Sequence, residues 1–167
     1  GDRDWPVVRR HLLVLAALGA SGFTLFNVIF YTALNYTTAI NVSIEQAAMP
    51  ILIMTANFVF FRLRVNWAQI AGVVLTIAGV ILTASHGDPR RLLTLELNFG
   101  DAIMLVAVVL YSGYSVGLRL KPALRWQSLM LAMSIAALIT SLPFLLWEVV
   151  AGKAIMPDAR GWTVIVY

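Results

Sequence analysis

Five long apolar segments, separated by shorter polar links, dominate the pattern of this chain. Each is about 20 residues long, the length that an α-helix needs to cross the hydrocarbon core of a bilayer. We predict helices because open sheet edges cannot be satisfied in lipid, and because the segments lack the apolar–polar alternation of barrel strands. The predicted fold class is an all-α, polytopic transmembrane helical bundle. Its predicted spans are Leu12–Leu34, Ala39–Phe61, Val65–Ser85, Leu97–Leu118 and Trp126–Trp147.

The composition supports lipid as the solvent of these segments. Hydrophobic residues make up 60% of the chain and charged residues 12%, whereas a soluble domain is nearer to about 45–50% apolar and about a quarter charged. The net charge of +4 does not predict a nucleic-acid partner, because the basic residues flank apolar segments instead of forming one patch. The predicted partners are membrane lipid and a small-molecule solute, with a second copy of the chain as a candidate homodimer partner.

The distribution of Lys and Arg predicts the orientation in the membrane. Short links make neighbouring spans antiparallel, so the links lie on alternate sides. Eight basic residues fall on one side and four on the other, and the richer side of a membrane protein is normally cytoplasmic. The N-terminal segment is therefore predicted to be cytoplasmic and the link 86–96 external. The richer side carries Arg3, Arg9, Arg10, Arg62, Arg64, Arg119, Lys121 and Arg125, and the other side carries Arg90, Arg91, Lys153 and Arg160.

Glu45 is the most informative polar residue within the apolar segments. It lies about 10 Å into the second span at 1.5 Å per residue, where an unpaired charge costs about 3 kcal/mol or more. We expect its side chain to face the bundle interior or water. One interpretation is a proton-coupled or cation-binding carboxyl, and the other is a neutral, hydrogen-bonded structural residue.

The second span also carries a polar, bent segment around Glu45. Asn41 lies one turn earlier on the same face, Gln46 is adjacent, and Pro50 is expected to kink the helix by leaving the Gln46 carbonyl without its donor. Secondary transporters often build binding sites from interrupted helices near the midplane. The alternative is a kink that only serves packing.

Further candidate site residues lie on the first and fourth spans. Asn27 and Tyr31 are one turn apart on the first, and Tyr111, Tyr114 and Ser115 lie close together on the fourth. Aromatic and amide groups that face a cavity can bind a small polar or aromatic solute. Interhelical hydrogen bonding is the alternative for each of them.

Small residues predict where the spans approach one another, since helices in lipid pack through such faces. They occur as Gly19 and Gly22 on the first span and as Gly113 and Gly117 on the fourth. The third span carries a stripe of Ala68, Gly72, Thr76 and Gly79.

The chain has no motif that predicts an enzyme. It contains no GxSxG, HExxH or phosphate-binding loop. His11 and His86 lack a second ligand at metal spacing, and the chain has no cysteine, so we expect neither a metal site nor a cofactor. Asp101, near the start of the fourth span, is predicted to cap that helix.

Several ordered motifs resemble the EamA domain of the drug/metabolite transporter superfamily. Tyr31-Thr-Ala-Leu-Asn-Tyr36-Thr-Thr-Ala39 is similar to the family's turn between spans. A proline-containing span follows, and then Trp67 and the helix Ala71-Gly72-Val-Val-Leu-Thr-Ile-Ala-Gly79-Val-Ile-Leu. Gly100-Asp101 and Arg119 bound the next span as in the family. The chain departs from the family at Arg62-Leu63-Arg64 and at Glu45-Gln46.

The resemblance implies a ten-helix transporter of two five-helix halves with opposite orientation. This chain would then be an internal fragment with helices three to seven and the start of the eighth. Residues 1–85 would end the first repeat, 86–98 form an external loop and 99–167 begin the second repeat. The cavity candidates carried over are Asn27, Tyr31, Asn41, Glu45, Tyr111 and Tyr114.

The implied function is secondary transport of small organic metabolites across a bacterial inner membrane by alternating access, with a proton or another cation as a candidate coupling ion. The alternative is a non-transporting membrane scaffold or assembly protein.

Overall fold

The computed structural model describes residues 4–85 and 98–154, and the regular structure within those residues is entirely helical. Five segments in this part of the chain are long and apolar enough to cross a membrane, which confirms the predicted fold class. The helices are α1 (Trp5–Arg10), α2 (Leu12–Gly19), a π-helical segment (Ala20–Leu25), α3 (Phe26–Leu34), α4 (Ala39–Gln46), α5 (Met49–Phe61), α6 (Trp67–Ser85), α7 (Phe99–Gly117), a 3₁₀ turn (Leu118–Leu120) and α8 (Trp126–Val150).

The spans agree closely with the predicted ones, and a local cap explains one difference. The third span begins at Trp67 instead of Val65. The Asn66 side-chain oxygen accepts from the Ala68 amide at 3.3 Å, and Gln69 Oε1 accepts from the Asn66 amide at 2.9 Å. These bonds satisfy amides that have no partner inside the helix, and so they fix its first residue.

The second span is interrupted where Pro50 predicts a kink. Helix α4 ends at Gln46 and α5 begins at Met49, with Pro50 in its first turn. Between them the Ala48 amide donates to the Glu45 carbonyl at 3.0 Å. These residues are three positions apart, which is the spacing of a 3₁₀ turn and not the four-residue spacing of an α-helix. Proline cannot donate to the Gln46 carbonyl, and its fixed φ suits the start of a new helix.

The first span is the centre of the bundle. Its C-terminal half, α3, packs with α4 and α7 around Ala33, Val42 and Met104, all of which are buried. Its N-terminal half, α2, packs on α8 around Leu15 and Met133. At Gly19 a Cβ atom would lie 2.5 Å from the Met133 carbonyl oxygen, so this glycine allows the two backbones to touch.

The third span lies at the edge of the described bundle, and it contacts α4. Of its residues only Ala84 and Ser85 are buried. Gly72 and Gly79 face open space within the described part of the chain, and so does Gly113 on the fourth span. Close neighbours in the described chain lie at Gly19, Gly22 and Gly117, as the small-residue prediction expects, and at the other three positions it stays a prediction.

The N-terminal segment is fastened to the start of the fifth span by a polar clamp. Asp4 Oδ2 accepts from Arg125 Nε at 2.9 Å and from the Ser128 hydroxyl at 2.6 Å. These two hydrogen bonds, that from Ser128 first, hold the pKa of the Asp4 carboxyl below its usual range. The clamp therefore favours the charged carboxylate and holds the short helix α1 against the bundle.

We expect the clamp to open in acid. Because the folded-state pKa of Asp4 is lowered, its contribution is present at neutral pH and is lost as the pH falls through that pKa. Hydrogen exchange of residues 5–10, corrected for intrinsic rates, should show protection at pH 6 that is reduced at pH 3. Asp4→Asn should give the low protection at both pH values, and α3 serves as the internal control. Equal protection of the two proteins at pH 6 would contradict the clamp.

Candidate functional site

A polar cluster joins the turn after the first span to the start of the fourth. Asp101 forms the predicted cap: its carboxylate accepts from the Asn98 amide at 2.8 Å, while Asn98 Oδ1 accepts from the Asp101 amide at 3.2 Å. The Thr37 hydroxyl also donates to Asp101. The Asn41 side-chain amide donates to both carboxylate oxygens, at 3.2 and 3.3 Å. Asn41 is buried. Its hydrogen bonds to Asp101 connect the second span to the fourth.

Gly100 permits the close approach that this cluster requires. A Cβ atom at this position would lie 2.7 Å from the Thr37 amide nitrogen and 2.8 Å from the Ala33 carbonyl oxygen. Both are backbone atoms, which cannot rotate away as a side chain can. The sequence signal for this contact is the pair Gly100-Asp101 at the beginning of a span.

Glu45 lies one turn after Asn41, directly before the interruption of the second span. Its residue is half-buried, and its Oε2 atom is buried and has no hydrogen-bond partner within the described residues. Leaving such an acceptor unsatisfied costs about 1–3 kcal/mol. Gln46 and Pro50 are half-buried at the same interruption. This segment thus combines an unsatisfied carboxyl oxygen with a local break in the backbone ladder.

Aromatic rings fill the space between the first and fourth spans. Tyr111 packs on Phe26 with ring centroids 4.7 Å apart, and Tyr114 lies 5.5 Å from Tyr111. Tyr114 also covers Gly22, where a Cβ would lie 2.5 Å from its ring. The wide turns of the π-helical segment and the missing side chain at Gly22 together make room for this ring. Ser115 is half-buried on the same helix.

Asn27 and Tyr31 lie in a different place, in an open cleft between the first and fifth spans. The cleft encloses about 680 Å³. We call it the aromatic cleft; among its lining residues are Asn27, Tyr31, Thr32, Trp147, Glu148 and Lys153. A second hollow, of about 670 Å³, lies between α4 and α6, and Ser43, Thr76 and Gly79 are part of its mostly apolar lining.

The structure does not gather the candidate residues into one pocket within its described part. Asn27 and Tyr31 share the aromatic cleft, Tyr111 and Tyr114 share the ring cluster, and Asn41 is joined to Asp101. The other candidates, on α4, α5 and α7, line neither of the two large hollows. They are Glu45, Gln46, Ser115 and Pro50.

Sequence reasoning missed two polar contacts between spans. The Thr24 hydroxyl donates to the Ala137 carbonyl at 2.9 Å and lies 2.8 Å from Thr140 Oγ1. Arg119 Nε donates to Asn57 Oδ1 at 2.6 Å and joins the second and fourth spans. Only the presence of a threonine or an asparagine within an apolar segment could have indicated these contacts.

A bundle of several spans, with one helix broken beside a half-buried glutamate, defines this chain as part of a polytopic membrane protein. Residues 2–85 match the EamA-like transporter family. The chain belongs to this family, as the ordered motifs between Tyr31 and Ser85 indicated. The identification of an integral membrane protein agrees with the five apolar spans.

Similar proteins occur in bacteria and archaea. The uncharacterized transporter YetK of Bacillus subtilis is 22% identical over 99% of this chain and 51% of its own length. The uncharacterized transporter YyaM of the same organism is 25% identical over 65% of this chain and 36% of its own length. An uncharacterized transporter of Archaeoglobus fulgidus is 35% identical over 62% of this chain and 35% of its own length.

The chain thus spans between about a third and about half of the length of these curated relatives. No solved structure shows a significant match to it.

Proposed function

We propose that the full-length protein is a secondary carrier that moves a small organic solute across the membrane by alternating access. Membership of the EamA-like transporter family and the description of the relatives as transporters support a transporter. Because the chain covers only part of those relatives, the complete pathway requires segments in addition to the spans described here. The family relationship also favours a transporter over an enzyme.

The unsatisfied oxygen of Glu45 is the observation that carries the proposed coupling. Its Oε2 is buried without a hydrogen-bond donor within the described residues, beside the break between α4 and α5. A proton, another cation or a donor group of the solute would each remove the cost of that unsatisfied acceptor. If the ion or solute binds this group more favourably in one conformation of the carrier, it shifts the equilibrium towards that conformation. Glu45 is therefore the leading coupling or binding residue.

The interruption beside Glu45 supports the same proposal. Irregular backbone at membrane depth is tolerated where protein or a water-filled cavity satisfies its polar groups. The second span is also the element through which Asn41 connects to the fourth span. Glu45 and Gln46 end the helix before the interruption, and Pro50 lies in the first turn of the helix after it.

The proposed orientation places the N-terminal segment in the cytoplasm of a bacterial cell, with the protein in the inner membrane. The basic residues that flank the spans support it. Four of them lie at or beside the helix ends on one side of the bundle, namely Arg10, Arg62, Arg119 and Arg125. Lys153 lies beyond the end of the fifth span, on the opposite side. Such an imbalance favours the richer side as the cytoplasmic one.

A solute screen tests the transporter proposal against the scaffold alternative. Cells that express the full-length protein should differ from empty-vector cells in the internal or external amount of at least one small solute. That solute should then cross proteoliposomes that contain the purified protein, under an imposed pH or cation gradient, faster than protein-free vesicles. If no solute differs and the protein instead alters the assembly of other membrane proteins, the scaffold alternative is correct and the carrier proposal fails.

A further inference from the structure

We propose that the aromatic cleft binds an organic ammonium ion that carries an aromatic or apolar body. The cleft lies between the first and fifth spans, at the end of the bundle where Asn35 and Lys153 lie, and it reaches as far as Asn27. This site is separate from Glu45, which does not line it. Four features of the cleft support the proposal.

The lining side chains present acceptors to the cleft. Asn27 Nδ2 donates to the Phe23 carbonyl at 2.6 Å, and the Thr32 hydroxyl donates to the Val28 carbonyl at 2.6 Å. Asn35 Nδ2 donates to the Tyr31 carbonyl at 3.1 Å. Each side chain thus uses a donor on its own helix. Their side-chain oxygens accept no hydrogen bond within the described residues, so they remain free to receive one from a ligand.

The negative charge of Glu148 also favours a ligand that is a cation. It is the one carboxylate among the lining residues, it is exposed, and it forms no ion pair within the described residues. Amide and hydroxyl oxygens next to a carboxylate match the three N–H donors of a primary ammonium group. An apolar molecule without donors would leave these acceptors unused.

The cleft already holds a cation that belongs to the protein. Lys153 Nζ lies over the Trp147 ring, 5.4 Å from its centroid. A cation in this position is attracted by the negative face of the indole ring. The ammonium group of Lys153 therefore acts as a tethered stand-in for the ligand, and it shows that this wall of the cleft accommodates a positive charge.

The end of the fifth span positions Lys153 for this contact. Gly152 has φ +66, and its amide donates to the Val149 carbonyl at 3.1 Å. The Lys153 amide donates back to the Glu148 carbonyl at 3.0 Å. This pair of bonds is the Schellman motif, which turns the chain back over the last turn of a helix. Because only the side chain of Lys153 must move, a ligand ammonium can replace it without a change of the backbone.

Aromatic faces supply the recognition of the ligand body. Tyr31 and Trp147 are 63% and 64% exposed, so a large part of each ring is open to contact. Phe144 and Tyr36 complete the apolar part of the lining. A ligand with an aromatic or apolar body next to its ammonium group would cover these rings while its charge replaces that of Lys153.

Equilibrium binding of 2-phenylethylammonium to the full-length protein in lipid nanodiscs tests the proposal. Its neutral isostere 2-phenylethanol and the anion 3-phenylpropanoate are the matched control ligands. We expect saturable binding of the ammonium compound and at least about fivefold weaker binding of the alcohol, the ratio that an exposed charge pair provides. Equal binding of the ammonium compound and the alcohol would overturn the proposal.

Variants that we expect to change the affinity for 2-phenylethylammonium in opposite directions locate the site. Lys153→Gln should tighten the binding of 2-phenylethylammonium by about threefold, because the tethered competitor is removed, and Trp147→Phe should weaken it by about threefold. Lys121→Gln and Trp126→Phe are the controls, since these exposed residues lie at the opposite end of the spans. Glu148→Gln should weaken binding by about fivefold. Weaker binding by Lys153→Gln, or equal effects of the two tryptophan variants, would refute the site.

The same measurement separates this proposal from the proposed carrier function. Binding is measured without a gradient, so a failed transport assay leaves it unaffected. Glu45→Gln should bind 2-phenylethylammonium as tightly as the unmodified protein. If Glu45→Gln removed the binding, the ligand would occupy a site at Glu45 and the aromatic cleft would not be its binding site.

Discussion

Glu45→Gln in the full-length protein should reduce gradient-driven solute transport to the level of protein-free vesicles while membrane insertion stays intact. Glutamine preserves the size of the side chain and one acceptor oxygen, but it cannot take up or release a proton or balance a bound cation. The buried Oε2 of Glu45 has no donor within the described residues, so the substitution should not remove a structural hydrogen bond there. The measurement is the uptake or efflux of the solute from the screen in vesicles with an imposed pH gradient.

Two control variants make this result specific. Glu45→Asp retains the carboxyl and should retain part of the transport. Ser43→Ala changes an exposed residue of the same helix, whose hydroxyl bonds to the Ala39 carbonyl at 2.7 Å, and should leave transport unchanged. Unchanged transport by Glu45→Gln would remove this residue from the mechanism.

Solute counterflow distinguishes the two roles of Glu45. In counterflow, labelled solute exchanges with unlabelled solute without an imposed ion gradient. If Glu45 only couples the ion, Glu45→Gln should still exchange solute. If Glu45 binds the solute itself, exchange should be lost together with gradient-driven transport. Both results agree with the proposed function, and they assign the residue to coupling or to binding.

The five spans and the break in the second could be predicted because each depends on local properties of the chain. The length of an apolar segment determines whether it can cross the bilayer, and Pro50 cannot make the helical hydrogen bond wherever it is packed. The cap at Asp101 was predictable for the same reason, since Asp101 and Asn98 are close in sequence. The structure confirms the spans and contains the cap, and it places the break in the second span directly before Met49 and Pro50.

Contacts between distant residues could not be predicted in this way. Asn41 and Asp101 are 60 positions apart, and the pattern around Asn41 favoured a site role as much as a structural one. Tyr114 packs over Gly22 in the π-helical segment, and no local signal encodes that contact. The small-residue faces show the same limitation, because a glycine stripe does not reveal which helix lies against it. Gly19 has a close neighbour within the described chain and Gly72 has none.

The site candidates also differ in contacts that the sequence does not show. Asn41 shares a face with Glu45, which makes it a site candidate in sequence, but its amide is bonded to Asp101, which fixes the second span against the fourth. Glu45 itself retains an oxygen without a donor in the described part of the chain. A polar residue in a span is therefore ambiguous in sequence, and its partners decide between a structural contact and a group that can respond to an ion or solute.

Gly100→Ala should strongly destabilise the bundle, because its Cβ would meet backbone on the facing turn. The Cβ atom would lie 2.7 Å from the Thr37 amide nitrogen, 2.7 Å from the Tyr36 carbonyl carbon and 2.8 Å from the Ala33 carbonyl oxygen. Relief of this overlap requires the first and fourth spans to separate, and the hydrogen bonds from Thr37 and Asn41 to Asp101 would lengthen with them. Overpacking of this kind costs about 1–3 kcal/mol, and the weakened hydrogen bonds add about 1 kcal/mol each.

Gly113→Ala is the matched control on the same helix. Nothing described lies within 4 Å of a Cβ at that position, and alanine is favoured over glycine inside a helix by about 1 kcal/mol. The measurement is the SDS concentration at the midpoint of unfolding of the full-length protein, followed by circular dichroism. This midpoint should therefore fall for Gly100→Ala and rise for Gly113→Ala. A Gly100→Ala protein as stable as Gly113→Ala would show that the turn at Tyr36 and Thr37 can withdraw freely from the fourth span. In that case Asp101 would not be the fixed point that joins the first, second and fourth spans.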